Sequence, residues 1–222
     1  MSITQFHKEK VTARLIGDWW FNSEPFSIDD LKGNVILLEL WNSTSLSSIV
    51  SLRLNQQLLS KYEEFGFVII GIHSPQFVFE ENYKNIERVI HHYDVKYPVI
   101  VDNKYRIWSN LGLYHKTTKV LIDREGFLRS IFGESFNLLE FERSIQTLLA
   151  ERYLKRDFPP LFSFNSESMP STFDRTIKTI HTGYLKGGIG NIEQSNLEGT
   201  TDYAESPLLI QNRFYLSGKW RY

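Results

Sequence analysis

Serine, histidine and carboxylate side chains supply the reactive groups of this chain, because it contains no cysteine. That absence excludes disulfides, zinc–thiolate sites, iron–sulfur clusters and any cysteine nucleophile. Ser45, Ser48 and His73 are residue types that a serine hydrolase uses. No G-x-S-x-G elbow surrounds either serine and nothing places His73 beside them, so both read as helix-start caps. Glu39 lies inside the apolar run Val35 to Trp41. A carboxylate on such a strand is costly unless hydrogen-bonded or protonated, so Glu39 reads as a satisfied structural acid or as a proton carrier. His91 and His92 are adjacent, about 100° apart on a helix, which is a poor metal pair and reads as a solvated face. Asp102-Asn103 reads as a turn rather than a cation site. The run Gly187-Gly188-Ile189-Gly190-Asn191 lacks the βαβ context of a dinucleotide fingerprint and reads as a loop. Trp19, Trp20, Phe21 and Phe26 form an aromatic group that serves either packing or a partner. No metal and no cofactor is expected.

Lys and Arg total 25 and Asp and Glu 26, a formal net charge of −1. This excludes binding driven by phosphate neutralisation, so no nucleic-acid partner is expected. The N-terminal residues, Met1 to Lys10, carry no apolar signal region, and no run approaches the roughly 20 apolar residues of a membrane span. The expectation is a cytoplasmic protein without a membrane partner. The length of 222 residues fits one domain plus an appendage.

Alternating elements must position these groups. Val35 to Trp41 and Phe67 to His73 read as strands buried on both faces. Between them Leu46, Val50, Leu54, Leu58 and Tyr62 recur at i+4, which predicts an amphipathic helix over 45–63 with that stripe facing the core. Phe79, Tyr83, Ile86, Ile90 and Tyr93 mark a second helix face. Pro98 to Val101 is a third strand, and Tyr105 to Leu111 a short helix. Lys119 to Ile122 and Phe127 to Phe132 flank Asp123-Arg124-Glu125-Gly126, a hairpin signal. Asn137, with Glu140 three residues later, resembles a capping box and opens a last helix. The order β-α-β-α-β-α-β-β-α predicts an α/β fold with a mixed sheet covered by helices. After Arg156 the helical periodicity ends and prolines gather at 159, 160, 170 and 207. The expected division is 1–156 as the main domain and 157–222 as a linker and small β-rich extension, with strands at 176–181, 208–210 and 213–216.

Several blocks carry a family resemblance. Trp20-Phe21-Asn22-Ser23-Glu24-Pro25-Phe26-Ser27, Asp30-Leu31-Lys32-Gly33-Asn34 leading into Val35 to Trp41, Gly71-Ile72-His73-Ser74-Pro75 running to Glu80, Tyr97-Pro98-Val99, and Leu121-Ile122-Asp123-Arg124-Glu125-Gly126 occur in one order. In that order they resemble the thioredoxin-like domains of the TlpA/DipZ redoxin type, also found in some NHL-repeat proteins. Tyr184, Asp202-Tyr203 and Phe214 to Trp220 resemble the start of the β-sandwich that follows the redox domain in DipZ-type proteins.

The resemblance implies a thioredoxin-like fold and a thiol–disulfide oxidoreductase ancestry. In such domains a C-x-x-C begins the helix after the central strand, where the helix dipole stabilises the thiolate. Family spacing from Trp41 places those two positions at Ser45 and Ser48, the buried acid at Glu39, and the cis-proline at Thr117 after Lys116. A hydroxyl cannot form a disulfide, so the expectation is a redox-inactive module that binds a protein or peptide through a groove of Asn42, Ser43, Thr44, Ser74, Pro75 and Lys116. The alternative is an active redoxin whose two cysteines stand here as serines by substitution. Thr117 is a third departure and speaks for natural loss. The C-terminal extension is a candidate for homodimerisation.

Overall fold

A computed structural model describes residues 9–11, 15–112, 118–133, 136–152, 157–162, 200–203 and 218–221. The chain divides into two units, Met1–Ser163 and Phe164–Tyr222.

The first unit is built on a mixed sheet. Its strands are β1 (Glu9–Lys10), β2 (Trp19–Phe21), β3 (Val35–Trp41), β4 (Phe67–His73), β5 (Val99–Val101), β6 (Thr118–Ile122) and β7 (Phe127–Phe132), in the order β1-β7-β6-β3-β4-β5-β2. β3 is central, parallel to β4 on one side and antiparallel to β6 on the other. All seven of its residues are buried, which is why VILLELW is a nearly unbroken apolar run. Alternation along the strand separates two cores. Val35, Leu37 and Trp41 face α1 (Leu46–Tyr62), α2 (Tyr83–His92) and α4 (Leu138–Ala150). Ile36, Leu38 and Leu40 face the other layer, which contains Leu15, Ile28 and Ile107 of α3 (Arg106–Asn110). Glu39, by the same alternation, lies on the α1 side.

The helix after β3 departs from the expected stripe. Leu58 and Tyr62 are buried as the i+4 pattern requires, but Leu46 is 78 % exposed and Val50 45 % exposed. The inward face of the first half of α1 is Ser48, Ser51, Leu52 and Asn55. A stripe repeated every four residues drifts around a helix of 3.6 residues per turn, and Ser48 and Ser51 find hydrogen-bond partners beneath the helix in the Asn42 amide and Lys119. The second predicted helix face is also shortened. Ile86 and Ile90 are buried, whereas Phe79 lies in a preceding 3₁₀ turn (Val78–Glu81) and is exposed.

α4 is capped by Asn137, whose side chain accepts the Glu140 amide. After it, residues 157–162 lie on the same unit. Phe158 and Phe162 pack on the core. The buried Glu142 carboxylate accepts the Phe162 amide at 2.7 Å, the Tyr62 hydroxyl at 2.7 Å and the Lys61 ammonium. The second unit contributes β8 (Thr200–Tyr203) paired antiparallel with β9 (Gly218–Arg221). The strands expected at 176–181, 208–210 and 213–216 lie outside the described residues.

Candidate functional site

The parallel register of β3 and β4 pairs Trp41 with His73, so both strands end together. The loops that follow, 42–45 and 74–77, therefore emerge side by side at the carboxyl ends of the strands, where open α/β sheets place their sites. The Ser74 amide reaches back to the Trp41 carbonyl at 3.0 Å. The Tyr105 hydroxyl donates to the Pro75 carbonyl from the left-handed backbone of Tyr105 (φ 55°).

Glu80 clamps these two loops together. Its side chain is fully buried. One carboxylate oxygen accepts the Ser43 hydroxyl at 2.7 Å and the Thr44 amide at 3.0 Å. The other accepts the amides of Gln76 at 2.7 Å and Phe77 at 3.0 Å. Burial alone would raise its pKa, but these hydrogen bonds outweigh burial and hold it below the ordinary glutamate value. Glu80 stands at the end of the block beginning at Gly71, yet sequence reading assigned it no role. Its signal was a glutamate following the apolar run Phe77-Val78-Phe79.

The two serines sit where helix-capping chemistry puts them. Ser45 is the N-cap of α1, and its hydroxyl oxygen accepts the Ser48 amide at 3.4 Å and lies 2.7 Å from the Ser47 hydroxyl. Ser48 is fully buried, and its oxygen accepts the Asn42 amide at 3.2 Å. The Asn42 side chain in turn accepts the Ser45 amide at 2.8 Å and the Thr44 hydroxyl at 3.2 Å. No hydrogen bond joins His73 to either serine. His73 is buried edge-on against Trp41, ring centroids 4.8 Å apart, and burial pushes its pKa down to about 4. A neutral imidazole held away from both hydroxyls gives no Ser–His pair.

Glu39 is a satisfied carboxylate. Register places it directly opposite Lys119 on β6. The Lys119 ammonium lies 2.7 and 2.5 Å from its two oxygens and donates to Ser51 of α1 at 2.9 Å. It also lies over the Phe136 ring, 5.1 Å from its centre. Both members are buried. Glu39 therefore carries an ion pair across two strands.

The other sequence-predicted residues fall as follows. Ser43 and Ser45 are half-buried and Thr44 is exposed, whereas Asn42, Ser74 and Pro75 are buried and support the loops from beneath. Lys116 and Thr117 lie outside the described residues, as does Gly187 to Asn191. His91 and His92 are exposed. Asp102 is a buried cap whose carboxylate accepts the amides of Arg106, Ile107 and Trp108. The aromatic group near β2 is divided. Trp20 and Phe26 pack edge-on at 4.9 Å, while Trp19 is half-exposed and stacks on Tyr83 at 5.4 Å. Among the described residues, Asp123, Glu125 and Glu151 could converge on a cation. Arg129 already pairs with Asp123 and Glu151 there, at 3.0 and 2.8 Å. Among the described residues, no helix is long and apolar enough to cross a membrane.

No family model matches the chain. It is 27 % identical over 211 residues to Protein DipZ of Mycobacterium bovis, covering 90 % of this chain and 29 % of that protein. It therefore spans under a third of the length of that relative. It is 27 % identical over 108 residues to the thiol-disulfide oxidoreductase ResA of Bacillus anthracis, covering 48 % of this chain and 60 % of ResA. A solved thioredoxin-like protein in its oxidised form superposes with a TM-score of 0.59 at 18 % identity, over 65 % of this chain and 97 % of that one. Strand order, the helix following the central strand and these likenesses agree: the first unit has the thioredoxin-like fold, resembles DipZ and ResA in sequence, and contains no cysteine.

Proposed function

We propose that this domain is a redox-inactive thioredoxin-fold module that binds a protein or peptide through the loops at the carboxyl ends of β3 and β4. The observation that carries this reading is the Glu80 clamp. A buried carboxylate with four hydrogen bonds holds the Ser43–Thr44 and Gln76–Phe77 backbones in one arrangement, and neither serine at 45 or 48 can form a disulfide. A preorganised polar loop beside exposed Thr44, Gln76 and Phe77 is suited to recognising an extended segment at low ordering cost. The test is selection of peptides on the full chain from a random library. The expected binders lose affinity for Thr44→Arg and Gln76→Arg and keep it for Arg143→Glu on the exposed side of α4. Binders indifferent to both loop substitutions, or an empty selection, overturn the reading.

The name of ResA favours one alternative, a thiol–disulfide oxidoreductase in which positions 45 and 48 are natively cysteine. Sequencing the native gene decides it: cysteine codons at both positions establish the alternative, and serine codons exclude it.

A further inference from the structure

The first half of α1 is turned inside out. Its inward residues Ser48, Ser51 and Asn55 are polar beside the apolar Leu52, while Leu46 and Val50 are exposed next to exposed Arg53, and Ile49 is half-buried at the edge of the core. Two of these inward polar groups have partners, since Ser51 serves Lys119 and Ser48 serves the Asn42 amide. Leu46 and Val50 stay exposed within the described fold. Beside them, Ser43, Ile49, Arg88, Val89, His92 and Tyr93 line an open cavity of about 400 Å³ between α1 and α2. The floor is apolar and aromatic and the rim is cationic. Arg53 lies over the Tyr93 ring, 5.6 Å from its centre, and the Gln56 amide donates to the Tyr93 carbonyl at 2.7 Å, which fixes the wall between the two helices. Among the described residues, neither Arg53 nor Arg88 pairs with a carboxylate.

We propose that this α1–α2 face docks an acidic segment of a protein partner, with an apolar side chain seated on Ile49, Val89 and Tyr93 and flanking carboxylates at Arg53 and Arg88. Charge complementarity selects the occupant. Two guanidinium groups unpaired with any carboxylate among the described residues flank an apolar floor, with Glu87 the single acid within α1 and α2, a pattern that favours carboxylates beside an aliphatic anchor and disfavours a basic segment. The face shares only Ser43 with the loop surface proposed above and does not rest on that reading.

The test is a titration of the isotope-labelled full chain with a short peptide alternating leucine and glutamate, followed by amide resonances. The control peptide carries lysine in place of glutamate. The expected result is perturbation of α1 and α2 amides around Ile49 and Tyr93 by the acidic peptide alone. Arg53→Glu with Arg88→Glu weakens it by about tenfold or more, about 1.4 kcal/mol, while the charge-matched Arg143→Glu on the exposed side of α4 leaves it unchanged. Both arginines are exposed, so the variants keep the fold, checked by their unperturbed core resonances. Equal response to both peptides, response elsewhere, or insensitivity to the double charge reversal overturns the proposal. So does a concentration-dependent dimer that Leu46→Glu dissolves and that excludes the peptide, because the occupant is then a second copy.

Discussion

Burial of His73 makes the stability of this domain depend on pH between about 6.5 and about 4. The perturbation is acidification from pH 7.5 to pH 5, compared between the parent and His73→Leu. Burial lowers the His73 pKa from its ordinary 6.5 to about 4. In the unfolded chain the imidazole takes up a proton below 6.5, and in the folded state it stays neutral until about 4. The unfolded state therefore binds more protons within that window, and stability falls as the pH falls. The stabilisation is fully present above 6.5 and is lost progressively down to about 4, about 3 kcal/mol in all, of which about 2 kcal/mol disappears by pH 5. Leucine fits the apolar wall beside Trp41 and removes two buried ring nitrogens that have no hydrogen-bond partner, so the variant folds at neutral pH with stability near the parent's. Urea unfolding at the two pH values measures the difference. Every other titrating group is common to both proteins, so subtracting the two pH dependences isolates His73. Parent and variant losing the same stability between pH 7.5 and pH 5 would refute the argument.

Three further outcomes follow from the site. Glu80→Gln leaves the clamp without its charge and costs about 1.5–3 kcal/mol in urea unfolding, with faster hydrogen exchange at the Thr44, Gln76 and Phe77 amides; unchanged exchange there counts against the clamp. Lys119→Met strands the Glu39 carboxylate in the core and costs about 3–5 kcal/mol, whereas Glu39→Leu with Lys119→Met recovers most of it; a double variant as unstable as the single one contradicts the pairing. Ser45→Ala removes the N-cap of α1 and lowers stability by about 1 kcal/mol, while Ser45→Asp retains it, both read from unfolding curves.

The order of elements was legible because each carries its own local signal. VILLELW and FVIIGIH announce central strands, Asp123 to Gly126 a hairpin, and Asn137 a helix start, and all appear where the pattern puts them. The orientation of α1 was not legible. Its apolar residues recur every four positions, and contacts from outside the helix, Lys119 to Ser51 and the Asn42 amide to Ser48, accompany the inward turn of its polar face. Glu80 was hidden for a related reason. Its partners lie 36 and 37 residues away at Thr44 and Ser43, in a loop that only the parallel register of β3 and β4 brings alongside.

What the sequence by itself determined is chemical: the chain contains no cysteine, and hydroxyl groups stand at the start of the helix after the central strand. What the tertiary structure decided is which polar groups are bound to one another. Glu39 is held by a lysine 80 residues away across β3 and β6, and Glu80 by two loops. Such pairings depend on strand register, a non-local property that side-chain periodicity along one segment does not encode.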